Sequence, residues 1–320
     1  MFSVRNVRVT FALLLLIAAN LFWAGQGVAI KILAVNDSPL AIALLPLYSI
    51  TIVGLGLLIL RPGVMQKFRA AWRFHREFFL AGICGQLMAQ VGMTVGVSWS
   101  TASNGAILSL LIPIFGALIA AWLLRERLSS LRVSSLSLGL AGVFILSPLH
   151  NMSITRNGRH ELLGDLLITA GCIGSAFYNV YSKRLLNYFS GIETLFFSYL
   201  PATVFSLPVL FLVEPHCLDK LEHLTLTQWG AFGYLAVFFY GLAMVFFLKA
   251  LEAVDVITAS ASLYFIPIAG VALAFCILKE RLAPRTIAGS AIVLIATGML
   301  FFFDTSNQTE ILRDEDFVNN

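Results

Sequence analysis

Ile112-Pro113-Ile114-Phe115-Gly116 leads through an apolar stretch to Leu124-Arg125-Glu126-Arg127-Leu128. The phrase returns as Ile266-Pro267-Ile268-Ala269-Gly270, followed by Leu278-Lys279-Glu280-Arg281-Leu282. The copies stand 154 residues apart, and nine of their seventeen positions are identical without a gap. A long internal period in so apolar a chain predicts a duplicated helical bundle; in membranes, the seam between such copies commonly builds a transport path. A weaker echo supports the pairing. Trp23-Ala24-Gly25-Gln26-Gly27-Val28-Ala29-Ile30-Lys31 parallels Ser175-Ala176-Phe177-Tyr178-Asn179-Val180-Tyr181-Ser182-Lys183, with the Ala, Val and Lys positions shared.

Composition sets the solvent. The 320 residues are 59% hydrophobic and 12% charged, with a mean hydropathy of +0.88. Soluble domains carry about a quarter charged residues, and a soluble core of this length could not hide so much apolar surface, so lipid must act as part of the solvent. The net charge of +4 is modest and its basic residues cluster in short loops. That pattern suits an anionic leaflet rather than a nucleic acid. Cys84, Cys172, Cys217 and Cys276 are far apart with no CxxC pair, which indicates neither a zinc site nor a disulfide scaffold; they read as small apolar fillers. Arg5, Arg8 and the apolar run after them could mimic a signal peptide, but the run continues past Trp23 to Ile30, the length of a retained span.

Ten apolar segments are long enough to cross a bilayer, and lipid offers backbone groups no partners, so each is expected to be a helix. They are Val9 to Ile30, Leu40 to Leu60, Phe78 to Trp99, Thr101 to Leu124, Val133 to Leu149, Leu162 to Tyr181, Ile192 to Val213, Trp229 to Leu248, Val256 to Leu278 and Thr286 to Phe303. The expected fold is an all-α integral membrane protein: ten transmembrane helices in two inverted five-helix repeats, residues 9–149 and 162–303. A polar connector, 150–161, joins them on the periplasmic side, and a polar cytoplasmic tail spans 304–320. Five helices per half is an odd number, so related segments enter the membrane from opposite sides.

Orientation follows from Lys and Arg. With the N-terminus inside, the first half places Arg5, Arg8, five residues from Arg61 to Arg76, and Arg125, Arg127 and Arg132 in the cytoplasm, against Lys31 outside. The second half has four inside and six outside, so the first half sets the topology, with both termini cytoplasmic in the inner membrane of a bacterial cell. Arg61 to Arg76, interleaved with Trp72 and Phe74, reads as a linker lying on anionic lipid.

The duplicated Pro-to-Glu-Arg-Leu phrase and the Trp-bearing first segment resemble the EamA-type family of the drug/metabolite transporter superfamily. The match runs from Val9 to Phe303. The family has two repeats of five helices, a Trp in the first, a Pro in the fourth and ninth, and Gly-Glu-Arg-Leu-like ends. This chain departs in placing Arg125 and Lys279 before the Glu, and Ser175 and Phe177 where a Trp would stand in the sixth helix. The resemblance implies secondary transport of small metabolites, often outward, without ATP.

Polar side chains at membrane depth are costly unless they face the bundle interior or a wet cavity. Asn20, Trp23 and Gly27 share one face of the first segment, with Gln26 adjacent, and Gln86 and Gln90 stack at i and i+4 on the third. Asn104 belongs to the fourth, Tyr178 and Asn179 to the sixth, and Tyr199, Tyr240 and Tyr264 to the seventh, eighth and ninth. Together they propose an uncharged, aromatic-and-amide-lined pocket for an amphipathic solute; the alternative role is interhelical glue. Pro113 and Pro267 each remove a backbone donor and kink their helices, as static bends or as gating joints. Glu126 and Glu280 either latch the repeats or pin helix depth at the interface. The pairs Gly54 and Gly56, Gly82 and Gly85, and Gly139 and Gly142 read as close-packing positions.

The expected function is a secondary transporter of small organic metabolites, amino-acid-like or amphipathic, working as an exporter by alternating access. No cofactor or metal site is expected; the Glu214-to-His223 connector has ligand types but no zinc spacing. A polytopic enzyme acting on lipid would need an acid/base or metal cluster in a span, which is not seen. Lipid or nucleotide-sugar translocation, a scaffold or receptor role, and a homodimer remain open alternatives.

Overall fold

The computed structural model describes residues 4–34, 38–60, 62–124, 156–253, 262–263 and 265–280, with isolated positions between 134 and 145 and between 284 and 299. Among the described residues all regular structure is helical. Six helices have the length and hydropathy to cross a membrane: α1 (Thr10–Leu33), α2 (Pro39–Ile59), α4 (His75–Trp99), α7 (Arg159–Leu185), α8 (Gly191–Val213) and α9 (Leu226–Ala253). Between α2 and α4 lies the amphipathic α3 (Val64–Arg73). The shorter α5 (Ala102–Leu108), α6 (Leu111–Leu124) and α10 (Phe265–Leu273) follow their places in the chain. The protein is thus an all-α, multi-pass membrane protein. Most of the expected fifth and tenth segments, and the tail, fall outside the described residues.

Local chemistry explains several boundaries. The α4–α5 turn is only Ser100 and Thr101, and the Thr101 hydroxyl accepts from Asn104 N at 3.0 Å as an N-cap. Ser190 with Glu193, and Thr225 with Gln228, form capping boxes at the starts of α8 and α9. The proline kink is visible in the backbone. Pro113 cannot donate to Ser109, and the helix breaks there between α5 and α6, with Ile112 N reaching Ser109 O at 3.0 Å instead. The second copy does the same, Ile266 N meeting Leu263 O at 3.1 Å just before Pro267. The last six residues of the expected polar connector, Arg156 to Glu161, are helical, at the start of a helix running Arg156–Leu185. A helix can project past the apolar slab once its polar end reaches water.

The contacts at the helix ends fix their directions. Lys31, closing α1, donates to Ser98 O at 3.2 Å and to Ser100 O. Ser100 Oγ donates to Asp165, at the start of α7, at 2.5 Å. At the opposite end, Lys183, closing α7, donates to Leu251 O at 3.0 Å, while Phe11, opening α1, lies 6.0 Å from Lys249 Nζ. Helices α1 and α7 therefore run antiparallel. Lys31 and Lys183, aligned in the repeat, do the same work on α4 and α9: an ammonium satisfies carbonyls at a helix C-terminus.

Helices α4 and α7 meet along bare backbone. A methyl group on Gly92 would lie 2.8 Å from Gly171 N, one on Gly96 2.6 Å from Gly164 O, and one on Gly174 2.7 Å from Ala89 N. Small residues drive helix association in lipid by letting backbones touch. Of the glycines expected to pack, Gly82 abuts Ser198 O and Gly54 the Phe196 ring, but Gly56 meets nothing within 4 Å, which corrects its reading. Gly139 lies outside the described residues.

Candidate functional site

Two symmetric distortions flank the centre. Ala81–Leu87 within α4 and Tyr234–Ala243 within α9 are wound as π-helix, and these segments stand at corresponding places in the two copies. A π turn widens the helix and redirects its side chains, and such turns concentrate at functional sites. Helix α1 also loosens at Gly25: the Phe22 carbonyl, one turn earlier, accepts the Tyr234 hydroxyl at 2.8 Å, and a methyl on Gly25 would collide with that hydroxyl at 2.2 Å. These irregularities surround a central hollow.

Its walls come from both copies. Trp23 and Gln26 enter from α1, Gln86 and Gln90 from α4, Ser109 and Ile112 from the α5–α6 kink, Tyr178 and Asn179 from α7, and Phe239 and Leu263 from the second half. None of the described residues lining it bears a full charge. Gln90 Nε2 donates to Gln86 Oε1 at 3.1 Å, as the i, i+4 stack predicts. Gln26 Nε2 has no hydrogen-bond partner among the described residues, and Tyr178 Oη, near Gln86 and Ser198, makes no contact of hydrogen-bond geometry. Buried polar groups left unmatched in this way cost free energy that an incoming solute can recover. Trp23 packs its ring 5.1 Å from Phe247, which fixes its plane at the cavity edge.

A second, smaller hollow shares Trp23, Gln26, Met93, Ser109 and Ile266 and extends past Gly27 and Gly105 to Ala102. It ends at a clasp. Glu280 accepts from Ala102 N and Ser103 N, each at 3.1 Å, and from Ser103 Oγ at 2.7 Å. Its carboxylate therefore caps the N-terminus of α5, where the helix dipole favours an anion. Beside it, Asp165 is 3% exposed and receives Asn104 Nδ2 at 3.2 Å as well as Ser100. Hydrogen bonds thus tie α5, α7, the α4–α5 turn and Glu280 together at that end of the hollow.

Of the residues that the sequence nominated for substrate, the structure gathers Trp23, Gln26, Gln86, Gln90, Tyr178 and Asn179 around the cavity. Four stand elsewhere. Asn20 Nδ2 donates to Ser262 O at 2.8 Å, tying α1 to the chain ahead of α10. Asn104 belongs to the Asp165 network. Tyr199 donates to Tyr240 O at 2.9 Å and Tyr240 to Ala43 O at 2.8 Å, which are packing bonds between helices. Tyr264 and Glu126 lie outside the described residues; Pro267 falls within α10. The sequence reading missed Ser109 and Ser175 as wall residues. Both had a signal: Ser109 precedes Pro113 by one turn, and Ser175 is the repeat counterpart of Trp23.

Known proteins agree with this picture. The profile of the EamA-like transporter family matches residues 10–147 and 162–302. The chain belongs to the EamA-like transporter family. An uncharacterized transporter of Archaeoglobus fulgidus is 27% identical over 279 residues, covering 86% of this chain and 92% of its own. A probable terminal-alkyne amino-acid exporter of Streptantibioticus cattleyicolor is 23% identical, covering 84% and 86%. An S-adenosylmethionine uptake transporter of Rickettsia prowazekii is 23% identical, covering 79% and 81%. This EamA-like chain is accordingly a membrane transporter of small molecules and not an enzyme.

Proposed function

We propose that the chain exports a small, amphipathic organic solute across the bacterial inner membrane by alternating access between two inverted five-helix repeats, residues 9–149 and 162–303, with both termini cytoplasmic. The solute sits in the central cavity. The observation that carries this reading is an uncharged hollow, built from repeat-related positions, that presents unmatched Gln26 and Tyr178 polar atoms beside the Trp23 ring. An uncharged solute avoids the large cost of placing an uncompensated charge there. The polar end finds donors and the apolar end finds aromatic surface.

Gating follows from the ends. With the Glu280 clasp made, the cavity is shut toward Lys31; release of Ala102 and Ser103 opens it, and the kinks at Pro113 and Pro267 absorb the bend. Glu126, the repeat counterpart of Glu280, serves the opposite end. The amino-acid exporter among the relatives favours an amino-acid-like cargo moving outward, whereas the uptake relative makes direction the quantity to measure. Comparison of exported and retained metabolites in cells with and without the protein identifies the cargo. Counterflow of that cargo in proteoliposomes should then saturate and be lost in Trp23→Ala. A chemically altered product, or no solute distinguishing the cells, overturns the proposal.

A further inference from the structure

The helix α3 has two faces with opposite fates, and only one of them is used by the protein. It starts at Gly63, whose φ of +78° needs a residue without a side chain. Its inward face is docked on α8 and the chain ahead of it: Phe68 packs edge-on against Phe197 at 5.2 Å, Ala71 is buried, and just beyond the helix Phe74 packs against Phe189 at 5.4 Å. Lys67 is spent on an ion pair with Glu193. The outward stripe of α3 is Met65, Arg69, Trp72 and Arg73, one turn apart, and beyond the break at Phe74 the exposed Arg76 stands on the first turn of α4. Met65 and Trp72 are 71% and 77% exposed, and none of the three arginines has an ion-pair partner among the described residues. Trp72 lies over His75, ring centroids 5.9 Å apart.

From this stripe we infer that α3 is an anionic-lipid site: phosphate headgroups of the leaflet at this end seat on Arg69, Arg73 and Arg76 while Met65 and Trp72 enter the acyl boundary. The argument is charge complementarity joined to depth. A guanidinium fork matches a phosphate in two hydrogen bonds, and an indole prefers the headgroup level of a bilayer. The helix has nowhere else to put these groups: it bridges α2 and α4, whose adjoining ends carry outward Leu57, Leu60 and Phe79, so the stripe lies where lipid tails give way to headgroups. Because Lys67 and Phe68 fasten the same helix to α8, lipid held on the outside also holds the start of α8 from the inside. This inference is independent of what the cavity carries.

The test uses the full chain in detergent with added lipid, read by native mass spectrometry. Phosphatidylglycerol is expected to be retained over phosphatidylcholine, and the variant R69Q/R73Q/R76Q should lose that preference about tenfold or more, since each basic residue near an anionic surface contributes separately. Lys67→Gln should leave it within about twofold, because that charge is already paired. In the unmodified chain, raising salt from about 0.1 M to 1 M should weaken retention, as screening requires. Equal retention of the two lipids, or a preference that survives the triple substitution, overturns the inference. So does displacement of phosphatidylglycerol by inorganic phosphate alone, which would mean a free-anion site, or a change in oligomer mass without a change in lipid, which would mean a second copy of the chain.

Discussion

The two copies of the repeat bring the same backbone positions to the cavity and dress them differently. Trp23 corresponds to Ser175, Gln26 to Tyr178, Ser109 to Leu263, and Ile112 to Ile266, and all eight are wall residues. Elsewhere the copies have stayed alike: Lys31 and Lys183 each cap a helix end, and each proline breaks its helix at the same step. Matched positions hold the frame. Divergent ones make one side of the hollow richer in amides and the other richer in apolar surface, which is what an amphipathic solute needs.

The comparison can be broken most severely at the α4–α7 seam, which keeps the two walls in register. Gly92→Leu should abolish monodisperse folded protein in size-exclusion chromatography, because backbone atoms already stand where the side chain must go. Gly56→Leu, in open space, should elute as the parent does. Next in size is the aromatic wall: Trp23→Ala should slow solute flux roughly 10- to 100-fold, the worth of one buried ring contact, while leaving the melting temperature near that of the parent. Ser175→Ala at the paired position should change flux much less, and an equal loss there would refute the idea of unequal walls.

Smaller effects sharpen the matched half. Lys31→Met and Lys183→Met should each cost roughly 2 kcal/mol, the usual worth of a hydrogen bond from a charged donor, in detergent-denaturation curves; a loss confined to one lysine would show that the frame is not symmetric. The gentlest change exchanges wall chemistry, Ser109→Leu against Leu263→Ser. Each is expected to shift the preference between a polar and an apolar analogue of the cargo by about tenfold, in opposite senses, the lower end of the worth of one apolar wall group.

Hydropathy and the repeated phrase carried the all-helical membrane character, because spans need only length and apolarity. Which prolines break a helix was not readable, since the turns before Pro113 and Pro267 are interrupted whereas Pro46, Pro201 and Pro208 lie within the continuous α2 and α8. The amide ladder of Gln86 and Gln90 was equally readable, since i, i+4 spacing alone puts them together. What stayed hidden depends on contacts far along the chain. Glu280 clasps amides 177 and 178 residues away, and nothing in a carboxylate says which helix end it will meet. The π turns are similar: no residue type encodes an extra residue in the hydrogen-bonded turn, and packing around the cavity decides it. Tyr199 and Tyr240 misled for a related reason, as a buried hydroxyl looks the same whether it greets a solute or a carbonyl.

Where α4 and α7 touch through glycine, there is no layer of side chains to compress or slide. Pulling them apart would open a gap lined by peptide groups, whereas turning one about the other keeps the contact intact. The seam is therefore a contact that tolerates rotation far better than separation, because a turn about it trades one backbone-to-backbone touch for another.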